Sequence, residues 1–379
     1  MTKTIVESPN QKRKKNRGRN IGIYFQSLSG KGGGAERQLI CLASALSDRG
    51  HNIHIITWDE CSDNSFFPIP KNVSWHKLGS RSGFIGKLQR TKKLLELLIC
   101  FNIKLLIGFV MANNKVVILS AILSLTKLVA AERNGPIIYH IKHTFIGRWI
   151  NFLSLLACDH IVVQFESFKA GYPVFLRART SVIPNPIFPV KTQAKPGLNK
   201  KKSFQMLFLG RLDSLQKQPE MLIKAFAKIA KSNPRWNLLM VGEGDARNSV
   251  ELLIKKTGLT RRIKLLPSRL KVNTLYEKAD LFVIPSLWEG SPNSLTEAMA
   301  HGLPAVGFDV DGVRQLIKHN VTGWIAPDIS ETALSNTLSK AIKNPNQLAQ
   351  FGKAAKTITH SHKENMVYGR WQKLIESVC

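Results

Sequence analysis

The chain has 379 residues, of which 44% are hydrophobic and 21% charged, and its formal net charge at pH 7 is +30. Its length exceeds the size at which one core usually stops growing, so two domains are expected, and its composition excludes a mostly disordered chain. The excess of cations calls for an acidic partner, such as nucleic acid, anionic lipid or a phosphorylated substrate. Five cysteines without a CxxC pair indicate reduced thiols in a reducing compartment.

Residues 1–20 are predicted to form a disordered basic tail, because they contain a run of Lys and Arg and few apolar residues. No apolar segment follows these charges, which argues against a secretory signal. The most apolar later stretches, residues 94–110 and 116–131, contain charged or polar residues and lack the ~20 apolar residues of a spanning helix. We therefore expect peripheral contact with an anionic membrane rather than insertion.

After residue 20, short apolar runs alternate with helical periodicity. A strand is predicted over Ile21–Gln26 and a helix over Ala35–Asp48, where apolar residues recur at i, i+3, i+4 and i+7. Further strands are predicted at residues 53–57, 103–108, 128–131 and 160–163, and a second series at residues 206–209, 238–241, 263–265, 281–284, 305–308 and 324–326. Strands that alternate with helices favour parallel, doubly wound sheets.

A proline-rich stretch at residues 183–187 leads into a Lys-rich segment and separates the two series. The predicted fold class is therefore α/β, with two Rossmann-like parallel-sheet domains that face each other across a cleft. The predicted boundaries are an N-terminal, acceptor-side domain at 21–190, a linker at 191–203 and a C-terminal donor domain at 204–360. Residues 361–379 are predicted to form a helix that packs back towards the N-terminal domain.

A glycine loop, Ser29-Gly-Lys-Gly-Gly-Gly-Ala-Glu-Arg37, joins the first strand to the first helix. Gly32, Gly33 and Gly34 would let the backbone approach a phosphate at a helix N-terminus, although a flexible turn explains this segment equally well. It lacks the Gly-Lys-Ser/Thr of a Walker A loop, and no acidic residue ends the second strand as a dinucleotide fingerprint requires.

Two basic residues follow the first strand of the second series. That strand is predicted to end at Gly210, which places Arg211 at the cleft, and Lys217 precedes the next helix. Arginine suits bidentate phosphate binding and lysine supplies a point charge. On their own, an Arg and a Lys at loop ends are more often solvated than functional.

The most informative segment runs from Glu289 to Glu297. A strand, a small-residue loop and a helix that opens near Asn293 succeed one another, at the strand end where open α/β sheets bind ligands. Backbone amides in this segment would face an anion, and the residues that carry them are Ser291, Asn293, Ser294 and Leu295. Taken alone, Ser294-x-x-Glu297 also fits a capping box, in which Glu297 only closes its own helix.

The segment from Glu289 to Glu297 resembles the E-x7-E signature of the retaining glycosyltransferase family GT4, which has the GT-B architecture. This family includes bacterial polysaccharide and lipid-linked glycan transferases. The resemblance covers residues 21–379. It implies that Glu297 holds the ribose of a donor nucleotide, that Glu289 contacts the transferred sugar, and that the intervening amides hold the diphosphate. It implies that Arg211 and Lys217 neutralise the leaving diphosphate and that Arg269 lies in the loop that holds the base. The chain departs from the family in having Gln218 where glycine is usual.

The acceptor side carries a second resemblance. Ala131-Glu-Arg-Asn-Gly-Pro136 is similar to the E-R-N-x-P of lipid-linked oligosaccharide transferases, which implies that Glu132 and Arg133 lie on the acceptor side, with His140 nearby. The expected acceptor is a glycan or a polyprenyl-diphosphate-linked glycan, in polysaccharide or lipopolysaccharide synthesis at the cytoplasmic face of the inner membrane. The expected donor is a nucleotide sugar, a UDP-sugar in preference to a GDP-sugar.

No DxD-type motif lies on a loop where it would hold a divalent cation, so metal-independent transfer without a further cofactor is expected. Two alternatives remain from the residues alone. A sugar-nucleotide epimerase would share the fold but would need its own acid and base groups in the cleft. A basic nucleic-acid-binding protein would fit the charge, but no zinc spacing, RNP-like motif or strong helix-turn-helix signal supports it, and no nucleic-acid partner is expected.

Overall fold

The structure, a computed structural model, describes residues 18–30, 32–79, 83–109, 114–197 and 202–379, without the side chain of Phe84. The predicted basic tail lies outside the described residues except for residues 18–20, and so do residues 198–201 of the predicted linker. Among the residues described, no helix is both long and apolar enough to cross a membrane.

The first sheet has seven strands in the order β3-β2-β1-β4-β5-β6-β7, and every neighbouring pair is parallel. The strands are β1 Asn20–Tyr24, β2 Asn52–Thr57, β3 Val73–Lys77, β4 Leu105–Phe109, β5 Lys127–Ala131, β6 His160–Val163 and β7 Thr180–Val182. The helices that connect them are α1 Gly34–Ser47, α2 Gly83–Cys100, α3 Lys115–Leu123, α4 Ile137–Lys142, α5 Phe145–Ser154, α6 Glu166–Ala170 and α7 Val174–Arg177. A short 3-10 helix, Leu155–Ala157, follows α5.

The second sheet has six parallel strands in the order β10-β9-β8-β11-β12-β13. They are β8 Phe204–Leu209, β9 Trp236–Val241, β10 Ile263–Leu266, β11 Leu281–Ile284, β12 Ala305–Phe308 and β13 Gly323–Ala326. The helices are α8 Pro219–Ala230, α9 Arg247–Lys256, α10 Asn273–Lys278, α11 Asn293–Ala300, α12 Asp311–Arg314, α13 Glu331–Ile342, α14 Pro345–Ala355, α15 Ile358–Ser361 and α16 Glu364–Val378. The two sheets confirm the predicted α/β fold with two doubly wound parallel-sheet halves.

The central strands are apolar throughout because helices cover both of their faces, and all residues of β4 and β11 are buried. The edge strands β3 and β7 were not predicted. They are short and only partly buried, so they lack the continuous apolar run that marks the central strands.

The C-terminal helix α16 belongs structurally to the first sheet. Its residues Tyr368 and Trp371 are buried in the same apolar cluster as Leu39 and Leu42 of α1. Arg19 Nη1 donates to the carbonyl of Ile375 at 3.2 Å, which ties the start of the described chain to this helix. The chain thus begins and ends on the N-terminal half, and the second sheet lies between.

Candidate functional site

A cleft of about 1520 Å³ separates the two sheets, at the carboxyl ends of strands from both. Its walls are the glycine loop at the start of α1, the loop after β8, the loop after β9 and the loop between β11 and α11. In parallel α/β sheets, ligands bind at this edge because strand ends and helix N-termini converge there. The cleft is therefore the candidate active site.

The glycine loop and α1 contact Asn293 of the opposite domain. Asn293 Nδ2 donates to the carbonyl of Gly34 at 3.0 Å, and its Oδ1 accepts from Gln38 Nε2 at 3.2 Å and Asn185 Nδ2 at 2.8 Å. A Cβ on Gly34 would lie 2.8 Å from Asn293 Nδ2. Asn293 is thus a polar bridge between the two halves of the chain.

The backbone of this loop requires glycine at Gly32, whose φ is +82° and whose Cβ would lie 2.5 Å from the ring of Phe66. Gly33 is the residue before the first turn of α1. Its backbone amide donates a hydrogen bond to the carboxylate of Glu36. Burial raises the pKa of Glu36 in spite of this hydrogen bond. The loop is therefore shaped by α1 and is more than a flexible turn.

Glu297 joins the two domains by an ion pair. Its Oε1 lies 2.6 Å from Arg37 Nη1 of α1, and its Oε2 accepts from the hydroxyl of Tyr276 at 3.1 Å. Tyr276 is fully buried, and burial, followed by the neighbouring Glu297 charge, raises its pKa well above the usual value. Arg37 ends the glycine loop motif in the sequence, but nothing in that motif predicts a role for it.

The capping-box alternative for Glu297 is wrong. Helix α11 begins at Asn293 with Pro292 as its N-cap and has no side-chain cap, so Ser294 already stands inside the first turn. The Glu297 carboxylate instead faces the cleft and bonds to Arg37 and Tyr276.

Glu289 and Lys217 form a second ion pair in the cleft, between Lys217 Nζ and Glu289 Oε1. The Lys217 side chain is 16% exposed and the Glu289 side chain is 6% exposed. Arg211 lies on the same wall with a largely exposed side chain, and its Nη2 donates to Gln216 Oε1 at 3.0 Å. The geometry brings together a carboxylate, an ammonium and an exposed guanidinium, a combination suited to a sugar diphosphate.

The N-terminal turn of α11 faces the same space. The amides of Asn293 and Ser294 donate no backbone hydrogen bond within the described chain, and the Ser291 hydroxyl is buried there without a partner. Leu295 does not fit the prediction, because its amide donates to the carbonyl of Pro292 at 3.1 Å and its side chain is fully buried. The amides that remain available to an anion are thus those at the helix start, where no earlier carbonyl is in reach.

Gln218, where the family resemblance expects glycine, is the N-cap of α8 and has φ +50° and ψ +48°. This left-handed conformation suits glycine and costs other L-residues about 1 kcal/mol or more. Gln218 therefore adopts a backbone conformation that is unfavourable for its side chain. Lys217, the residue before it, still forms its ion pair with Glu289.

Two further predicted donor residues line the cleft: Gly210 at the end of β8 and the exposed Arg269 after β10. A Cβ on Gly242 would lie 1.9 Å from the Gly210 carbonyl, so the two strand-end loops pack backbone to backbone. On the N-terminal wall, Lys87, Arg90 and Lys115 also line the cleft, and none of them belongs to a motif that marks it in the sequence.

The acceptor-side predictions need correction for two residues. Glu132 is 2% exposed and does not line the cleft, because its Oε2 accepts from the buried Tyr139 hydroxyl at 2.8 Å. His140 is exposed on α4, outside the cleft lining, and its Nδ1 lies 2.6 Å from Arg148 Nη1. Neither position follows from sequence spacing, since Glu132 is buried in the turn after β5 and His140 lies on the exposed side of α4.

Arg133 does line the cleft, at its floor. Its guanidinium lies over the ring of Phe109 at 4.3 Å, and its Nη1 donates to Asn185 Oδ1 at 3.2 Å. Burial lowers its pKa to about 10, partly offset by the charge of Glu132. Its carbonyl would lie 1.9 Å from a Cβ on Gly290, so the two domains meet here at backbone distance.

Comparison with known proteins agrees with this geometry. Residues 190–358 match the family described as Glycosyl transferases group 1. A protein of Haemophilus influenzae named as an uncharacterized glycosyltransferase is 25% identical over 94% of this chain and 100% of its own length. A Campylobacter jejuni protein is 26% identical over 94% of this chain and 98% of its own. It is named as a GalNAc-alpha-(1->4)-GalNAc-alpha-(1->3)-diNAcBac-PP-undecaprenol alpha-1,4-N-acetyl-D-galactosaminyltransferase.

Among solved structures, Anabaena HepE in complex with UDP and glucose superposes with a TM-score of 0.76 at 19% identity, covering 94% of this chain and 99% of that one. The two relatives and the solved structure match across both domains, and the family match lies in the C-terminal half. Together they favour a transferase over the epimerase and the nucleic-acid-binding alternatives. Residues 190–358 therefore form a glycosyl transferases group 1 domain, the whole chain has the GT-B fold, and these matches support a glycosyltransferase enzyme.

Proposed function

We propose that the protein moves a sugar from a nucleotide sugar, a UDP-sugar in preference to a GDP-sugar, to a glycan or polyprenyl-diphosphate-linked acceptor. Transfer would retain the anomeric configuration, as in family GT4, and would need no metal. The observation that carries the donor half is the convergence of the Lys217–Glu289 pair, Arg211 and the free amides of α11 in one cleft.

The leaving diphosphate gains negative charge as the glycosidic bond breaks, so groups that hold it more tightly in the transition state accelerate the reaction. Lys217, Arg211 and the amides of Asn293 and Ser294 are the groups placed to do this. In the unbound protein, Glu289 is the counter-charge of Lys217, and the donor diphosphate would compete with it for the ammonium. The acceptor hydroxyl would lose its proton to the departing phosphate.

The support for UDP is indirect. Anabaena HepE, which has the same fold, was solved with UDP and glucose. Thermal denaturation with UDP and with GDP tests the preference, because a ligand that binds the folded state raises its apparent stability. We expect a larger shift with UDP and its loss in Glu297→Ala.

The support for an anionic acceptor is the basic N-terminal wall. Lys87, Arg90 and Lys115 line the cleft on the side opposite the donor loops, and the guanidinium of Arg90 lies 5.5 Å from the centroid of the Trp58 ring. Such a wall suits the diphosphate of a polyprenyl carrier. The Campylobacter relative is named for an undecaprenyl-diphosphate-linked substrate. An acceptor of this kind would place the reaction at the cytoplasmic face of the inner membrane, with the basic protein bound peripherally to anionic lipid.

The decisive experiment incubates the purified protein with membrane lipid extract and a panel of radiolabelled UDP- and GDP-sugars, and determines the anomeric configuration of the product by NMR. Lys217→Ala should lower kcat about 10²–10³-fold, as loss of one donor to a developing anion does. Lys224→Ala, an exposed lysine on α8, is the matched control and should leave the rate unchanged. Absence of transfer to every lipid fraction and every soluble sugar acceptor would refute the proposal.

A further inference from the structure

Helix α5 presents to solvent the side that a helix of a globular protein normally buries. Phe145 is 68% exposed, Ile146 71%, Ile150 45% and Leu153 53%. Together with Trp149, which is 39% exposed, these residues are called the α5 stripe. The opposite side of the helix is the buried one, with Asn151 and Phe152 packed into the domain. The helix therefore has an apolar side, the α5 stripe, that has no covering partner within the described chain.

The apolar surface continues on α3. Val117 and Ala121 of α3 lie in the same buried cluster as Phe152 of α5, so both helices cover the same face of the first sheet. Their outward sides therefore point the same way, and on α3 that side carries Leu119, Ile122 and Leu123, each about half exposed. In the second domain, large exposed apolar residues such as Leu252 and Val321 are scattered along the chain, which is ordinary for a protein surface.

The charges on the stretch of chain that contains the α5 stripe are of one sign. No Asp or Glu occurs in the sequence between Glu132 and Asp159, whereas Lys142 and Arg148 flank the stripe. The guanidinium of Arg148 lies 5.0 Å from the centroid of the Phe145 ring. Apolar side chains with an aromatic residue among them, bordered by cations and free of carboxylates, are typical of helices that lie in the interface of an anionic membrane.

The α5 stripe is also close to the candidate active site along the chain. Arg133 and Asn134 line the cleft, and α4 and α5 follow them directly. A membrane that contacts α5 would thus lie beside the acceptor wall of the cleft.

We propose that the α5 stripe and the outward side of α3 form a membrane-docking surface that inserts among anionic phospholipids. A second copy of the chain is the less suitable occupant, because two such surfaces would bring like charges together without a carboxylate to pair with them. The inference deepens the proposed function by naming the surface through which the enzyme reaches a lipid-linked acceptor. The docking itself requires neither donor nor acceptor.

The test measures binding of the full chain to vesicles of phosphatidylglycerol and phosphatidylcholine, with pure phosphatidylcholine as the uncharged comparison. At about 0.5 M NaCl, contacts between exposed charges are largely screened, including those of the basic tail, so the remaining binding reports apolar insertion. The double variant Ile146→Asn/Ile150→Asn should lower the partition coefficient about tenfold or more, since each loses the burial of a large apolar side chain. Leu252→Asn, an equally exposed apolar residue on α9, should bind as the parent does.

A second readout uses Trp149 as a native probe. Brominated lipids should quench part of the tryptophan fluorescence of the parent, and Trp149→Phe should remove that part. Urea unfolding midpoints within the range of the parent show that each variant is folded.

Two outcomes would overturn the inference. In one, the double variant binds vesicles as tightly as Leu252→Asn does. In the other, light scattering shows a dimer that the double variant converts to a monomer while vesicle binding is unchanged, which would identify the surface as a contact between two copies. Vesicle binding that depends on the α5 stripe, in a protein that transfers no sugar to lipid, would refute the proposed acceptor and leave the docking surface standing.

Discussion

The guanidinium of Arg37 and the carboxylate of Glu297 meet 2.6 Å apart, although one belongs to the first helix of the N-terminal domain and the other to α11 of the C-terminal domain. If Glu297 is the residue that holds the donor ribose, Arg37 and the ribose compete for one carboxylate. The pair then connects donor binding with the contact between the two domains.

This competition predicts that Arg37→Met strengthens UDP binding by up to about fivefold, since a partly exposed ion pair contributes about 1 kcal/mol or less. In a Glu297→Gln background the same change should have no effect on the Kd. Isothermal titration calorimetry measures both, with Arg49→Met, at the end of α1 and away from the cleft, as the control. Weaker UDP binding in Arg37→Met would show instead that Arg37 itself contacts the nucleotide.

Gly290 lies where the backbones of the two domains approach each other, and a Cβ there would be 1.9 Å from the Arg133 carbonyl. Gly290→Ala should push the domains apart and lower kcat/KM for sugar transfer about tenfold or more, because small displacements of reacting groups are costly. Gly369→Ala on α16, where a Cβ would meet nothing within 4 Å, is the control for glycine substitution as such. Unchanged transfer by Gly290→Ala would mean that the domains do not act in this closed arrangement.

Gln218 occupies the left-handed region at φ +50°. Gln218→Gly should raise the free energy of unfolding by about 0.5–1 kcal/mol, because the strain is relieved and only part of the gain is offset by the greater freedom of glycine in the unfolded chain. Urea denaturation measures this. Lys224→Gly, inside the same helix and with ordinary helical geometry, should lower it by about 1 kcal/mol. The same sign for both variants would contradict the assignment of strain to Gln218.

His54 and His76 face each other at the edge of the first sheet, with Nδ1 of His54 3.0 Å from Nε2 of His76 and the ring of Phe101 against both. Burial lowers the pKa of both groups, and in His76 the charge of His54 adds to the effect. The two histidines in the unfolded chain therefore bind protons at a higher pH than they do in the native protein. Their contribution to the free energy of unfolding is complete above the unfolded pKa of about 6.5 and declines as the pH falls below it.

The urea concentration at the unfolding midpoint should accordingly decrease as the pH is lowered from about 7.5 to about 5.5. In His76→Gln this decrease should be smaller, because one titrating group is gone. Part of the pH dependence should remain in this variant, because burial also lowers the pKa of His160 and of His362. His360→Gln, on the exposed surface of α15, is the control. A pH dependence that His76→Gln leaves unaltered would exclude the pair as its source.

Much of the fold was determined by the sequence alone. Continuous apolar runs such as β4 and β11 identify strands covered on both faces, and helical periodicity places α1 to within a residue or two. The segment from Glu289 to Glu297 and the basic residues Arg211 and Lys217 were assigned to one cleft because strand ends of a parallel sheet share an edge. Local pattern is sufficient for these inferences, since each depends on residues close in sequence.

Only the tertiary structure decided what each side chain meets. The Arg37–Glu297 pair joins residues on different domains, and no local spacing encodes it. Glu132 and Arg133 are neighbours in sequence, yet packing sends the carboxylate to Tyr139 in the core and leaves the guanidinium at the cleft floor. The α5 stripe reads in sequence as an ordinary apolar helix face, and only its lack of a covering element in the described fold shows it to be a surface. Periodicity shows that a residue is apolar or charged, whereas its partner is set by the way distant segments pack.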